Sequence, residues 1–149
     1  MIRTPFFAAL CFVSTAHARG PIHHLPVPPD TSLERYVQDL IGQDPADRLF
    51  AARVLHTRVR EAWRLSTRTS ADIHVIEAKQ TLVDFDTMVA PKCIRQLKVP
   101  NTLRPCAAIL GMLETEAAVQ PLLDQRAQER KRRNIRVIDR ALLRIQGEP

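Results

Sequence analysis

The stretch DPADRLFAARVLHTRVREAWRL, residues 44 to 65, restricts its backbone more than any other part of the chain. Asp44 is a residue whose short carboxylate caps helices, and Pro45 follows at the first helical position, where its missing N–H is no loss. Over the next twenty residues neither Gly nor Pro intervenes, and Leu49, Ala52, Leu55, Val59, Ala62 and Trp63 recur at helical spacing. The stretch is therefore one long helix, or two short ones bent near His56. No segment alternates with the period of two that a half-buried strand requires. The chain holds four Gly and 5% aromatic residues, with Ala, Leu, Ile, Val and Arg its prevailing residues, a mixture that packs as helices.

Similar reasoning places the remaining helices. Ser32 caps a helix running to Ile41 and stopped by Gly42. Ser70 starts another, with Ile73, Ile76, Ala78, Leu82 and Val83 available for burial. Asp86 caps a third through Val89, Cys93, Ile94 and Leu97, and the breaker KVPN follows. Thr102 opens a helix carrying Leu103, Cys106, Ala107, Leu110 and Leu113. Thr115 caps its partner, with Ala118, Val119, Leu122 and Leu123 on the apolar side, and Asn134 starts a last helix with the stripe Ile135, Ile138, Ala141, Leu142 and Ile145. Seven helices with short loops are expected over residues 32–146, in one domain.

The first eighteen residues obey different rules. Arg3 precedes the short apolar run PFFAALCFVST, and Ala16, His17 and Ala18 form the small-x-small pattern of a signal peptidase site, so cleavage is expected after Ala18. About ten apolar residues are too few to cross a bilayer core that needs about twenty, and no transmembrane segment is expected in the mature chain. Residues 19–31, which hold the prolines of RGPIHHLPVPPD, read as an extended lead-in. Export to the periplasm or the extracellular space follows.

In such a compartment the remaining cysteines, Cys93 and Cys106, are an even pair, equidistant from the turn in KVPNT. Residues equidistant from a hairpin turn face each other, so a disulfide is expected, the alternative being two small buried thiols. Loss of Arg3 takes 22 basic residues to 21 against 16 acidic ones, a net charge of +5 that suits an anionic partner.

Superimposing DPADRLFAARVL, TLRPCAAILGML and NIRVIDRALLRI gives a recurring scheme of a capping residue, an early Arg, a small residue about a turn later, then Leu. Ala52, Ala78, Ala108 and Ala141 occupy corresponding places at spacings of 26, 30 and 33 residues, within the window of helical repeats. TLRPCAAILGMLETEAAVQPLLDQ resembles one unit of the HEAT and HEAT-like repeats, matching at Leu103, Arg104, Ala107, Ala108, Leu110 and Gly111, then at Ala118, Val119, Leu122 and Leu123. The resemblance is weaker over residues 70 to 98. It implies a short right-handed α-solenoid that binds other proteins, usually without catalysis.

Chemical motifs are few. Gly at 20, 42, 111 and 147 rules out a P-loop, a dinucleotide fingerprint and a nucleophile elbow. His23 with His24, and His74 with Glu77, are too few donors for a metal site, and no cofactor is expected. Trp63, beside Arg60, Arg64 and Arg68, is either partly core or a surface anchor. The strongest charge signal is RAQERKRRNIRVIDRALLR, a candidate basic ridge of Arg126, Arg130, Lys131, Arg132, Arg133, Arg136, Arg140 and Arg144. The expected function is a non-catalytic protein-interaction or scaffold module with a protein partner, possibly acidic, and no nucleic acid. The alternatives are an enzyme or lyase accessory with a small-molecule ligand, and a wall or lipid binder acting through the ridge.

Overall fold

The computed structural model describes residues 32–68 and 72–147. The expected signal sequence, the lead-in with His23 and His24, and Ser70 lie outside the described residues. Seven α-helices and a short 3-10 turn follow one another: α1 (Leu33–Leu40), α2 (Pro45–Ser66), α3 (Ile73–Met88), α4 (Ala90–Gln96), α5 (Leu103–Met112), the turn Glu116–Ala118, α6 (Val119–Gln128) and α7 (Arg132–Ile145). There is no strand among the described residues, and no described helix is long and apolar enough to cross a membrane.

The long stretch at 44 to 65 is one unbroken helix. Asp44 Oδ1 accepts from the Ala46 and Asp47 N–H groups at 2.6 and 3.3 Å, and Pro45 occupies the first turn. Its core face holds Ala51, Ala52, Val54, Leu55, Val59 and Ala62, all buried. Against α2 pack α1, α3 and α5, while α7 lies along α5 in the most extensive helix pair. α4 joins α3 to α5, and α6 packs on α7. The largest fully buried side chains include Leu40, Leu55, Leu97, Leu103, Ile109, Leu110, Leu122 and Ile138, drawn from five helices and the turn after α4. Burial of each such side chain is worth about 1.5–3 kcal/mol, so this common core, rather than helix propensity, sets the arrangement.

Small residues determine how close α5 and α7 come. A Cβ placed on Gly111 would stand 2.6 Å from Ala141 Cα and 2.9 Å from Ala141 Cβ. Beyond Leu113, α5 ends with Glu114 in the left-handed region at φ 54°, and Thr115 N–H donates to Leu110 O at 3.2 Å. This six-to-one closure usually uses glycine; here a side-chain-bearing residue holds it. The bend at LETE is thus a helix stop.

Several capping expectations are corrected. Asp86 caps nothing: it lies within α3, which continues to Met88 because nothing from Asp72 onward breaks it. Its Oδ1 accepts the Thr115 hydroxyl at 2.6 Å, so Thr115 is engaged with α3 instead of capping its own helix. Ser32 makes no side-chain cap bond. α7 starts at Arg132, two residues before Asn134. Asn134 is buried and its Nδ2 donates to Glu129 Oε2 at 2.7 Å, while Glu129 Oε1 accepts the Arg130 and Lys131 N–H groups at 2.9 and 2.8 Å. These bonds to Asn134 and the backbone hold the Glu129 carboxyl below its ordinary pKa.

The buried face of α3 also differs from the expected one. Val75, Ala78 and Phe85 face the core, whereas Ile73, Ile76 and Val83 are each 58% exposed. α3 is apolar on two sides, and its packing against α2 and α4 covers only one of them. Leu123, expected on the apolar side of α6, is likewise exposed.

Cys93 on α4 and Cys106 on α5 face each other, as the register about KVPNT requires, and both are fully buried. They are free thiols in this structure. Burial pushes the Cys93 thiol well above its ordinary pKa, and a hydrogen bond with Cys106 adds to the shift.

Candidate functional site: an arginine-lined groove

The core face of α2 leaves a second face, and on it Leu49, Arg53, His56, Arg60 and Trp63 recur at alternating steps of four and three, with Arg64 beside Trp63. That spacing keeps them in one stripe parallel to the helix axis. α7 presents Val137, Arg140, Ala141 and Arg144 opposite, and α5 supplies Arg104, Pro105, Ala108 and Met112 between the two. With Asn101 these residues line an open cleft of about 570 Å³. The small side chains of Ala108 and Ala141 line the cleft, and the approach at Gly111 sets α7 close beside α5.

Six guanidinium groups line this cleft, those of Arg53, Arg60, Arg64, Arg104, Arg140 and Arg144, and no carboxylate does. Among the described residues none of the six forms an ion pair. Arg60–Arg64 and Arg140–Arg144 are like-charge pairs one turn apart, each costing a helix about 0.2–0.5 kcal/mol. Arg60 Nε is buried and has no hydrogen-bond partner among the described residues. An unmatched buried donor costs about 1–3 kcal/mol. Burial lowers the pKa of His56, and the charge on Arg60 lowers it further. His56 is therefore held towards neutrality until a negative charge arrives.

Trp63 gives the site an apolar end. It is half-buried against the core, and the Arg144 guanidinium lies 4.9 Å from the centroid of its ring. The side chain packs in part against the core and also lines the cleft.

The residues of the expected C-terminal ridge divide between the cleft and the surface outside it. Only Arg140 and Arg144 enter the cleft. Arg126 pairs with Asp139, which raises the Arg126 pKa through their hydrogen bond. Arg130 and Lys131 lie in the α6–α7 connection around Glu129, and Arg132, Arg133 and Arg136 are exposed on α7 outside the cleft. Arg53, His56, Arg60, Arg64 and Arg104 were not among the expected binding residues. The signal for the first three was the 3.5-residue spacing from Leu49 to Trp63, whereas Arg104 depends on how α5 is placed. His74 and Glu77 contact each other at 3.5 Å on exposed α3, and no group of three or more metal-ligating side chains occurs among the described residues.

The arrangement can hold negative charge beside apolar surface. Its lining has no Asp, Glu, Cys, Ser, Thr, Lys or Tyr, leaving His56 as the one side chain there that exchanges a proton near neutral pH. No model of a protein family, no curated protein and no solved structure matches the chain, so the groove itself has to carry the functional reading.

Proposed function

We propose that the chain is a non-catalytic binding module that captures an anionic partner in the α2–α5–α7 groove, and that it acts as an interaction or scaffold protein in the periplasm or outside the cell. The observation that carries this reading is the set of six guanidinium groups lining one cleft without a carboxylate among them. Protein surfaces ordinarily intersperse charges of both signs, and a cleft of one sign focuses its field on oppositely charged ligands. Arginine also suits the task because its planar fork meets carboxylate or phosphate oxygens in pairs. Catalysis finds little support, since His56 has neither an acid nor a nucleophile beside it in the lining.

In the same reading the fold is a short right-handed α-solenoid of HEAT-like units, supported by the side-by-side packing of α2, α5 and α7. Each of those helices opens one of the three similar segments. Export is supported by the Arg3 and Ala16–His17–Ala18 pattern.

The test uses the single tryptophan of the sequence, which lines the groove. Tripolyphosphate added to the mature protein should change Trp63 emission saturably, and the affinity should fall steeply as salt is raised. An emission spectrum that tripolyphosphate leaves unchanged, with binding detected elsewhere or not at all, contradicts the proposal.

A further inference from the structure

We propose that the groove receives an acidic amphipathic peptide segment of a partner protein, one that sets apolar side chains on the groove floor and carboxylates against its arginine walls. The inference rests on the anion-binding reading above and specifies its ligand.

Charge alone fits many polyanions, and the floor distinguishes among them. Between the arginines lie Leu49, Ala108, Met112 and Val137, with the Trp63 ring at one end. A phosphate chain or a sugar-phosphate backbone has nothing to bury there. A single-stranded nucleic acid would want several aromatic platforms for successive bases, and the groove lining offers one, already covered by Arg144. A lipid headgroup matches the guanidinium groups, but a bilayer is met by a projecting apolar face, and these apolar residues line a cleft. A peptide supplies both chemistries at the necessary spacing. Arg53 to Arg64 spans eleven residues of α2, about 16 Å, which about five extended residues or three helical turns cover. Alternate residues of an extended segment point to opposite sides, so Glu or Asp alternating with Leu or Phe presents apolar groups inward and carboxylates to the rim. His56, between Arg53 and Arg60 on the same stripe, adds a further donor once a carboxylate stands beside it.

The experiment titrates the mature protein at about 150 mM salt, where purely diffuse attraction is screened beyond roughly 8 Å, and follows Trp63 emission. Four probes are compared: a blocked nonapeptide alternating Glu with Leu and Phe, a nonapeptide of the same charge alternating Glu with Ser, oligothymidylate of matched charge, and phosphatidylglycerol vesicles. The Glu/Leu/Phe peptide should bind at least about tenfold more tightly than the other three. The exposed-arginine variant Arg53→Ala/Arg140→Ala should weaken it by about tenfold or more, and Arg104→Ala by less, while Arg130→Ala/Arg132→Ala outside the groove should leave it within about twofold. Far-ultraviolet circular dichroism checks that each variant is folded. Equal binding of the Glu/Ser peptide, tighter binding of oligothymidylate or vesicles, or an equal loss in the Arg130/Arg132 variant overturns the peptide assignment. If tripolyphosphate still perturbs Trp63 in that case, the anion-binding reading survives; if no probe does, both fall.

Discussion

Replacing Gly111 by Ala tests the helix contact that forms the groove. The added Cβ would meet Ala141 Cα at 2.6 Å and Ala141 Cβ at 2.9 Å, where carbon atoms rest at about 3.5–4.0 Å. Both elements must give by about 1 Å, and the nearer obstacle is backbone, which no rotamer change moves aside. Overpacking of this kind costs about 1–3 kcal/mol, and an unyielding backbone puts the cost near the top of that range. Ala is better than Gly inside a helix by about 1 kcal/mol, which offsets part of it. The net expectation is a loss of about 2 kcal/mol, or about 8 °C in Tm for a domain of this size. Ala141→Gly removes the 2.9 Å neighbour but not the 2.6 Å one, so adding it to Gly111→Ala should bring only partial relief. Gly42→Ala is the matched control, because the nearest atoms to a Cβ there belong to the Asp39 backbone, the closest at 3.2 Å. Thermal and urea unfolding of the parent and these three variants measures these differences. A Gly111→Ala protein as stable as the parent, or more so, would refute the α5–α7 approach and with it the walls of the groove.

Three further outcomes are expected. Glu114→Gly should stabilise the protein by about 1 kcal/mol, since φ 54° strains an L-residue and glycine adopts it freely; urea unfolding checks this. Cys93 and Cys106 should join when the protein folds under oxidising conditions, each losing a proton and together passing two electrons to a disulfide oxidant, for about 3 kcal/mol of stability. Intact mass before and after reduction and alkylation reads the bond, and free thiols at the outset would sink it. His56 should titrate below 6.5 in the free protein and move upward when tripolyphosphate occupies the groove, as read from its ring proton resonances. Because the folded pKa is the lower one, the unfolded chain takes up the proton first as pH falls. Stability of the free protein should therefore decline as pH drops through 6.5 towards that lower value, while anion affinity rises over the same window.

The helices were legible because their signals are local. Asp44–Pro45, the unbroken spacing to Leu65, and the breaker at KVPN each act within a few residues, and α2 and the α4–α5 turn stand where they place them. Asp86 misled because a capping residue and a helix-interior residue with a distant partner look alike in sequence; the partner, Thr115, lies 29 positions away. Ile73, Ile76 and Val83 misled for a related reason, since α3 has two apolar faces and only its neighbours decide which is buried. The same limit governs the site. A run of basic residues near the C-terminus draws attention by density, yet Asp139 and Glu129 engage one end of it locally. The arginines that share a cleft come from α2, α5 and α7, more than ninety positions apart at the extremes, and only the packing of those helices brings them together.

The central claim is that anions bind in this groove and not on the ridge beside it. Arginine Nε–Hε and tryptophan indole resonances of the mature protein, followed by NMR through a tripolyphosphate titration, test it most directly. The account predicts shifts at Arg53, Arg60, Arg104, Arg140, Arg144 and Trp63. Shifts confined to Arg130, Arg132, Arg133 and Arg136 would contradict it.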